Sequence, residues 1–347
     1  MRALRVHGPH IMKIEEVPDP RPGANEILVA IKAAAICRTD IEIFAGTMVH
    51  LKTGLLKLPR IPGHEWAGVV TEVGSAVTRF KLGDRVTGDT AIGCGVCRDC
   101  LAGHYNICAT RQTVGVLRKD GAFADYLVMP EKHVYRIPKE VSFEEASLAE
   151  PAGVALHAIQ RLSPAIADRV VVIGDGPVGL LGLQMVLIAG ASQVAVIGGY
   201  DFKLDVAKQL GASFTIGRCS PNLEEQVIQS LGDAPDCIID AAGRETSLPL
   251  ALKLVRPGGK IVDITFCGIN IANWNADMMV AREITVIGSL AGPNTMPQVL
   301  QLMAQGRLNV KPLITQHYSL AEADKAFEMI ETRSQPYLRV ILTPDGK

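Results

Sequence analysis

The hydrophobic pattern of the chain changes near residue 152. Before this point, short runs of strand-forming residues are separated by glycine and proline, which predicts an irregular, β-rich domain. These runs are 27–33, 68–73, 85–86, 124–129 and 134–137. After it, short apolar runs alternate with segments of helical length and period, which predicts alternating strands and helices. The pattern therefore predicts two domains of different class.

The alternating region predicts a doubly wound parallel sheet, because strands separated by helices pair in parallel and carry helices on both faces. The six predicted strands are 169–173, 193–197, 212–216, 236–240, 260–265 and 284–287. The predicted helices are 179–189, 202–210, 223–231 and 247–254. Beyond residue 292, two helices at 296–305 and 320–332 and a strand at 338–342 are predicted to return to the first domain.

Size and charge narrow the class of protein. A length of 347 residues is typical of two domains. Thirty-five Lys and Arg residues balance 36 Asp and Glu residues without a basic run, so nucleic acid is not an expected partner. The most apolar stretch, 170–190, contains Asp175, Pro177 and five glycines, which indicates a buried strand and helix rather than a membrane span. The N-terminus lacks the apolar segment of a signal peptide, so a cytoplasmic location is expected.

Four cysteines lie within fifteen residues on a glycine-rich stretch at about 93–109: Cys94, Cys97, Cys100 and Cys108. This spacing on a loop presents four thiolates to one ion and predicts a structural zinc site. An iron–sulfur cluster is the alternative, because four thiolates can also hold one. The expected reducing compartment disfavours a disulfide cluster. Because four thiolates complete the coordination shell of zinc, the site is expected to stabilise a loop rather than react.

A glycine motif predicts a nucleotide site. Gly174, Gly176 and Gly179 form Gly-x-Gly-x-x-Gly between a predicted strand and a predicted helix, and Pro177 and Val178 fill its second gap. In this context the first glycine permits a tight turn, the second lets the backbone approach a pyrophosphate, and the third lets the helix pack on the strand. The helix N-terminus then faces the anion, which predicts NAD or NADP.

The end of the second predicted strand bears on the choice between NAD and NADP. Folds that prefer NAD usually carry a carboxylate there, whereas this chain has Gly198, Gly199 and Tyr200. Lys203 is close enough in sequence to meet a 2′-phosphate, but Asp201 is also near and no arginine adjoins the segment. The sequence leaves the choice open, with NADP slightly favoured.

Three separated segments carry candidate ligands for a second zinc ion. They contain Cys37, the pair His64 and Glu65, and Glu150. Cysteine, histidine and glutamate are all zinc ligands, and three protein ligands with one open position define a catalytic site. Each residue alone has a structural explanation, but their order ahead of the glycine motif favours the catalytic one.

With these motifs, the chain resembles the zinc-dependent medium-chain dehydrogenase/reductase family from end to end. The resemblance rests on Cys37-Arg38-Thr39-Asp40, Gly63-His64-Glu65, the four-cysteine lobe and the glycine motif. It implies an α/β architecture with a GroES-like, β-rich catalytic domain and a Rossmann domain that has a doubly wound, parallel six-stranded sheet. The implied catalytic domain is 1–151 with 293–347, and the implied Rossmann domain is 152–292. The active site is expected in the cleft between them.

The resemblance also implies roles for single residues. Cys37 and His64 match ligands of the catalytic zinc, and Glu150 matches the third ligand of sorbitol, threonine and sugar-alcohol dehydrogenases. Glu65 is then either a ligand or a carboxylate that exchanges onto the metal. Asp40 matches the carboxylate that orients the zinc histidine.

Further roles concern the proton and the cofactor. Thr39 matches the hydroxyl that accepts the substrate proton, and Arg38 matches a position that reaches the cofactor pyrophosphate in some members. Where many relatives have a relay histidine, this chain has Glu42, so either Glu42 serves as the relay base or protons leave through water. Ser289 and Arg339 complete the predicted cofactor contacts.

Two zinc ions per chain and NAD or NADP are therefore expected. A glutamate ligand makes the pocket more polar, which favours the reversible oxidation of a secondary alcohol of a polyol, sugar alcohol or related small molecule to the ketone. L-Threonine or another amino alcohol is the alternative substrate. A zinc-stabilised nucleotide-binding protein without dehydrogenase activity is the alternative of another class, which the intact ligand set disfavours. The resemblance implies a homodimer or homotetramer.

Overall fold

The computed structural model describes residues 1–266, 268, 270–271 and 274–344. The chain forms two compact units. The first comprises Met1–Glu150, Met296–Gly306 and Leu313–Lys347, and the second comprises Pro151–Thr295 and Arg307–Pro312. No helix of the described part is long and apolar enough to cross a membrane.

The strands and helices have the following bounds. The strands of the first 136 residues are β1 (Arg2–Gly8), β2 (Ile11–Glu16), β3 (Glu26–Ala35), β4 (Glu65–Val73), β5 (Arg85–Gly88), β6 (Ala91–Ile92), β7 (Gln112–Val114), β8 (Arg118–Lys119), β9 (Tyr126–Pro130) and β10 (Val134–Arg136). The later strands are β11 (Arg169–Ile173), β12 (Gln193–Gly198), β13 (Phe214–Gly217), β14 (Cys237–Asp240), β15 (Lys260–Asp263), β16 (Thr285–Gly288), β17 (Ile314–Ser319) and β18 (Arg339–Thr343). The helices are α1 (Arg38–Phe44), α2 (Val49–Lys52), α3 (Arg98–Leu101), α4 (Phe143–Ser147), α5 (Ala149–Leu162), α6 (Pro177–Ile188), α7 (Asp201–Gln209), α8 (Leu223–Leu231), α9 (Ser247–Leu254), α10 (Ala276–Ala281), α11 (Met296–Ala304) and α12 (Ala323–Thr332).

The main sheet of the first unit has the order β10-β5-β4-β3-β18-β17, and β9 also pairs with β3. Strand β3 runs antiparallel to β4, with Ala35 opposite Glu65. It runs antiparallel to β18 on its other side, with Ala35 opposite Ile341. The end of β3, the start of β4 and strand β18 therefore lie side by side, although they are far apart in sequence.

Large apolar side chains fill the core of this unit. Trp66, Phe123 and Phe327 are almost completely buried and belong to one hydrophobic cluster. Burying each such side chain stabilises the fold by roughly 2 kcal/mol. This hydrophobic cluster stabilises the main sheet, and the loops at the edge of that sheet are held in place with it.

The second unit contains one parallel sheet of order β13-β12-β11-β14-β15-β16. Its central strand β11 is buried on both faces and pairs with β12 and β14. This order is that of a Rossmann sheet, in which the strand order reverses next to the first strand. The predicted α/β class with a doubly wound, six-stranded parallel sheet is confirmed.

Some elements differ from the sequence-based expectation. The predicted helix over 320–332 begins as a 3-10 turn at Leu320–Glu322 and continues as α12, because the Glu322 carboxylate accepts hydrogen bonds from Ser319. Residues 307–312, expected with the catalytic domain, cluster with the second unit. The amide side chain of Gln184 both donates to and accepts from the backbone of Asn309, which ties this segment down.

Candidate active site

Cys37, His64 and Glu65 form a compact cluster in the first unit. One ligand atom of each lies within 4.8 Å of those of the other two. Cys37 is the N-cap of α1, and Glu65 is the first residue of β4. The pairing of Ala35 with Glu65 explains why residues so distant in sequence meet. His64 and Glu65 are buried, so their side chains are shielded from solvent by the protein.

Asp40 organises this cluster from the first turn of α1. Its Oδ2 accepts a hydrogen bond of 2.8 Å from the backbone N–H of Cys37, a capping-box contact that starts the helix. Its Oδ1 accepts a bond of 3.0 Å from Gly63 N–H and lies 3.6 Å from Nδ1 of His64. Because Nδ1 faces Asp40, Nε2 of His64 is the nitrogen left for a ligand.

The charges in the cluster shift the titration of its members. Burial would raise the pKa of the Cys37 thiol, but His64 and Arg339 lower it to about 7. Burial would lower the pKa of His64, but the Asp40 carboxylate and Cys37 raise it well above its ordinary value. The lowered pKa favours the thiolate of Cys37, which is the form of cysteine that binds metals.

A buried ion pair closes one side of the cluster. Nη2 of Arg339 donates to Oε1 of Glu65 at 2.7 Å, and Nη1 donates to the carbonyl oxygen of Ile36 at 3.1 Å. Oε2 of Glu65 is buried without a hydrogen-bond partner, and burial raises the pKa of Glu65 well above its ordinary value. This oxygen is therefore a buried acceptor to which a metal ion could bind. The structure places Arg339, expected among the cofactor contacts, against Glu65.

Glu150 is the second residue of α5, and it borders the cluster without belonging to its mutually close ligand set. Burial raises its pKa, and the charge of His64 and the hydroxyl of Thr90 oppose this effect. The Thr90 hydroxyl also lies 3.4 Å from the carbonyl oxygen of His64. Thr90 therefore contacts both residues.

The remaining residues predicted around the reacting atoms lie on α1. Oγ1 of Thr39 is 4.0 Å from Sγ of Cys37. Glu42 forms an ion pair of 2.9 Å with Arg38, one helical turn away. The arginine side chain is 77 % exposed and the glutamate side chain 21 % exposed, so this pair lies at the surface of the helix.

The four cysteines of the lobe also converge. Their sulfur atoms all lie within 4.8 Å of one another, with Cys94 and Cys100 at 3.9 Å. A tetrahedron with zinc–sulfur bonds of about 2.3 Å has edges of about 3.8 Å. Backbone N–H donation and the Thr110 hydroxyl lower the pKa of Cys108 to about 6. The chemistry and spacing of the donors therefore fit zinc.

The glycine motif forms the turn between β11 and α6. Gly174 has φ +120°, which favours glycine. A Cβ on Gly179 would lie 2.1 Å from the carbonyl oxygen of Gly174, whereas a Cβ on Gly176 would meet nothing within 4 Å. Gly176 is the N-cap of α6, and Pro177 is its first residue, followed by Val178. The turn is therefore closely packed at Gly179 and open at Gly176, which leaves space for an anion at the N-terminus of α6.

Three charged side chains lie near the end of β12. Oδ2 of Asp175 accepts hydrogen bonds from the N–H groups of Gly199 at 2.7 Å and Tyr200 at 3.0 Å. A Cβ on Gly199 would lie 3.0 Å from Nε of Arg218. The ammonium of Lys203 lies 5.0 Å from the centroid of the Tyr200 ring. The edge of the sheet thus presents a carboxylate together with two cations.

Comparison with known proteins identifies the family. The family model of the alcohol dehydrogenase GroES-like domain matches residues 23–139, and that of the zinc-binding dehydrogenases matches residues 177–305. The chain is 32 % identical to a sorbitol dehydrogenase of Bacillus subtilis, over 99 % of this chain and 98 % of that protein. It is 34 % identical to "Probable D-xylulose reductase A" of Aspergillus clavatus, over 94 % of this chain and 92 % of that protein. The chain belongs to the zinc-dependent medium-chain dehydrogenases.

Solved structures agree with this assignment. A protein of Sinorhizobium meliloti 1021 described as a zinc-binding dehydrogenase, bound to NADP, superposes with a TM-score of 0.90 at 28 % identity, over 99 % of each chain. An alcohol dehydrogenase (rspB) of Escherichia coli CFT073, complexed with NADH, superposes with a TM-score of 0.91 at 30 % identity, again over 99 % of each chain. A dehydrogenase of this family uses zinc and a nicotinamide cofactor.

Three contacts of the dehydrogenase were not expected from its sequence. Arg218 reaches Gly199, although no arginine adjoins that segment in the chain. Asp175, inside the glycine motif, supplies a carboxylate at the end of β12, where the sequence has none. Thr90 joins His64 and Glu150. The sequence held no local signal for Arg218, because it reaches Gly199 only through the parallel pairing of β12 with β13, which aligns Gly198 with Gly217.

Ser289 follows β16, and its hydroxyl is buried without a hydrogen-bond partner. Its backbone N–H donates to the carbonyl oxygen of Asp263 at 2.9 Å, which fixes it beside the end of β15. This is the carboxyl edge of the parallel sheet, where open α/β sheets bind their ligands. The predicted contact of Ser289 with the cofactor stays a prediction.

Proposed function

We propose that this dehydrogenase reversibly oxidises a secondary alcohol of a polyol or sugar alcohol to the ketone. The observation that carries the proposal is the buried cluster of Cys37, His64 and Glu65, with Glu150 beside it. Its two carboxylates favour a polar, hydroxylated substrate over a simple alkyl alcohol. The full-length similarity to proteins named for sorbitol and D-xylulose supports the same choice.

A zinc ion held at this cluster would supply a Lewis acid for the substrate oxygen, and a nicotinamide cofactor would supply the hydride acceptor. We assign Cys37, His64 and Glu150 as its protein ligands. Glu65 would be a further carboxylate able to bind the ion, since one of its oxygens is held by Arg339 and the other has no hydrogen-bond partner. Asp40 fixes the orientation of His64 through Nδ1.

The proton leaves along α1 in this proposal. The Thr39 hydroxyl, beside the sulfur of Cys37, accepts the proton of the substrate hydroxyl. Glu42 lies one helical turn further on and reaches solvent, which supports it as the outlet for that proton. Its ion pair with Arg38 keeps the carboxylate in a defined position.

We propose NADP as the preferred cofactor. The guanidinium of Arg218 lies against Gly199, and Lys203 lies over Tyr200, so two cations border the position that a 2′-phosphate would take. The competing carboxylate of Asp175 already accepts two backbone hydrogen bonds. The pyrophosphate would lie at Gly176, where the turn is open.

The lobe formed by Cys94, Cys97, Cys100 and Cys108 would hold a second zinc ion, for a total of two per chain. None of the seven described cysteines forms a disulfide. We propose a cytoplasmic location, where thiols stay reduced. We propose a homodimer or homotetramer on the basis of family membership.

A substrate panel tests the proposed function. Zinc-replete protein is assayed for formation of NADH and NADPH, in parallel, with polyols, sugar alcohols, L-threonine and simple primary alcohols. We expect the largest kcat/KM for a polyol with NADP. Turnover of L-threonine alone would instead favour the amino-alcohol alternative, and the absence of turnover with every secondary alcohol would contradict the proposal.

A further inference from the structure

The carboxylate of Asp89 connects the four-cysteine lobe to the main sheet of the first unit. This residue follows β5 and is 5 % exposed. Its Oδ2 accepts a hydrogen bond from the hydroxyl of Tyr105 at 2.8 Å and one from the hydroxyl of Tyr135 at 3.2 Å, and lies 3.0 Å from Nδ1 of His133. Tyr105 belongs to the lobe, between its third and fourth cysteines, whereas Tyr135 and His133 come from β10 and the turn before it.

Tyr105 is fixed tightly within the lobe. A Cβ on Gly93 would lie 2.5 Å from Sγ of Cys100 and 2.7 Å from Cβ of Tyr105. The side chains of Cys100 and Tyr105 therefore pack directly against the backbone of Gly93, where the chain enters the lobe, and neither can move closer to it. The position of Tyr105, and of the hydroxyl that it presents to Asp89, depends on the folded lobe.

The residue after Asp89 contacts the candidate zinc ligands. The hydroxyl of Thr90 donates to the carbonyl oxygen of His64 at 3.4 Å, and it lowers the pKa of the neighbouring Glu150 carboxyl group against the effect of burial. The backbone here is held on both sides, because Asp89 N–H donates to the carbonyl oxygen of His133 and the carbonyl oxygen of Thr90 accepts from Val114 N–H. A shift of Asp89 would therefore move the hydroxyl of Thr90.

We propose that Asp89 is a positioning residue through which the four-cysteine lobe holds His64 and Glu150 in place. Tyr105 transmits the position of the lobe to Asp89, and Thr90 transmits it to the two candidate ligands. The inference rests on the proposed function, since it assigns His64 and Glu150 to a catalytic zinc. Hydrogen bonds to a buried carboxylate are strong, so this link is stiffer than an ordinary loop contact.

Two tyrosine variants test the link. Tyr105→Phe removes the hydroxyl that joins the lobe to Asp89, and Tyr135→Phe removes a hydroxyl that binds the same oxygen from outside the lobe. Release of zinc to a chelator is followed in both variants and the wild type. Cobalt(II)-substituted samples distinguish the tetrathiolate site from the mixed site by their absorption. We expect Tyr105→Phe to release the ion of the mixed site about fivefold faster, and Tyr135→Phe to change this rate less than about twofold.

Equal release rates from the mixed site in the two variants would overturn the link. If Tyr105→Phe also loses the lobe ion, the zinc release rate of Thr90→Val is the deciding measurement. This variant removes the hydroxyl that contacts His64 and leaves the residues of the lobe unchanged. Faster release from the mixed site of Thr90→Val, with the lobe ion retained, would support the proposal, and an unchanged rate would overturn it. A wild-type protein that holds only the lobe ion would instead contradict the proposed function, which keeps the two failures distinct.

Discussion

At the scale of single residues, Asp40 gives a prediction about the zinc affinity of the candidate catalytic site. Its carboxylate accepts from two backbone N–H groups and faces Nδ1 of His64. Asp40→Asn places an amide donor where an acceptor is needed. We expect the affinity of the catalytic site for zinc to fall about 10- to 100-fold, with the lobe ion retained. Chelator competition measures both sites.

The matched control is Asp205→Asn, which removes an exposed carboxylate paired only with Lys208. Surface ion pairs of this kind contribute about 0–1 kcal/mol to stability. The control should bind both ions as the wild type does. An unchanged affinity in Asp40→Asn would show that His64 is oriented by other contacts.

Arg218 gives a prediction about cofactor choice. Replacement by alanine removes the guanidinium beside Gly199. We expect the KM for NADP to rise about tenfold and the KM for NAD to change less than about twofold, since a charge-assisted hydrogen bond to phosphate is lost only with NADP. Steady-state kinetics with Lys208→Ala as the surface control measure this. Equal changes for the two cofactors would place Arg218 outside the 2′-phosphate site.

The residue scale also separates what the sequence could predict from what it could not. Cys37, His64 and the four lobe cysteines were identifiable because their chemistry and order carry the signal. Asp175 and Arg218 were not, because their importance arises only when strand pairing brings their side chains to the end of β12.

At the scale of elements, the turn before α6 separates cofactor binding from folding. Gly176→Ala adds a methyl group where the protein leaves open space, and the backbone there has φ −77°, which any residue adopts. We expect an unchanged free energy of unfolding but weaker NADP binding, by about tenfold or more, because the methyl group meets the pyrophosphate. Fluorescence titration of NADP and urea unfolding measure the two effects.

Gly179→Ala is the matched variant in the same turn. Its Cβ would lie 2.1 Å from the carbonyl oxygen of Gly174, so α6 must shift away from β11. We expect the free energy of unfolding to fall by about 2 kcal/mol or more, together with weaker cofactor binding. If Gly176→Ala bound NADP normally, the pyrophosphate would not lie on this turn.

Asp236 gives a prediction about pH. Its carboxylate accepts from Arg169 N–H at 2.9 Å and from Nε of Arg256 at 2.6 Å, at the N-terminal edge of the parallel sheet. Burial would raise its pKa, but these bonds lower it below its ordinary value. A lowered pKa gives stability that is present above the ordinary value and lost as pH falls through the folded-state value. Asp236→Asn should therefore lower the free energy of unfolding by about 1 kcal/mol at pH 7, and by less below about pH 4. The unfolding midpoint should fall accordingly.

The matched control for this prediction is Asp233→Asn, whose side chain is 70 % exposed in its pair with Arg169. It should have almost no effect at either pH. Thermal unfolding of both variants across this pH range provides the comparison. A constant difference between Asp236→Asn and the wild type would show that the contribution of Asp236 does not depend on its charge.

The elements themselves were predictable to different degrees. Each of the six strands of the parallel sheet lies within two residues of its predicted bounds. The signal is strongest for the central strands β12, β11 and β14, because continuous apolar runs mark strands buried on both faces. Strand β2 was missed, since its side chains are exposed or half-buried along its whole length and show no alternation. Strand β17 was missed for a different reason: half-buried and exposed residues alternate along it, but most of its residues are polar, so its apolar pattern is weak.

At the scale of the whole molecule, the sequence indicated two domains through the change of pattern near residue 152. It could not indicate how the C-terminal strand completes the candidate site. Strand β18 inserts beside β3 and brings Arg339 to Glu65, 274 positions earlier in the chain. Such long-range pairing depends on tertiary packing, which local pattern does not encode.

In the proposed function, Cys37, His64 and the nearby carboxylates hold a catalytic zinc that is distinct from the lobe zinc. Metal analysis and turnover of wild-type protein and Cys37→Ser test it together. We predict two zinc ions per chain and polyol-dependent NADPH formation for the wild type, and one ion with no turnover for the variant. A variant that kept both ions and its activity, or a wild type with a single ion and no turnover, would contradict the account.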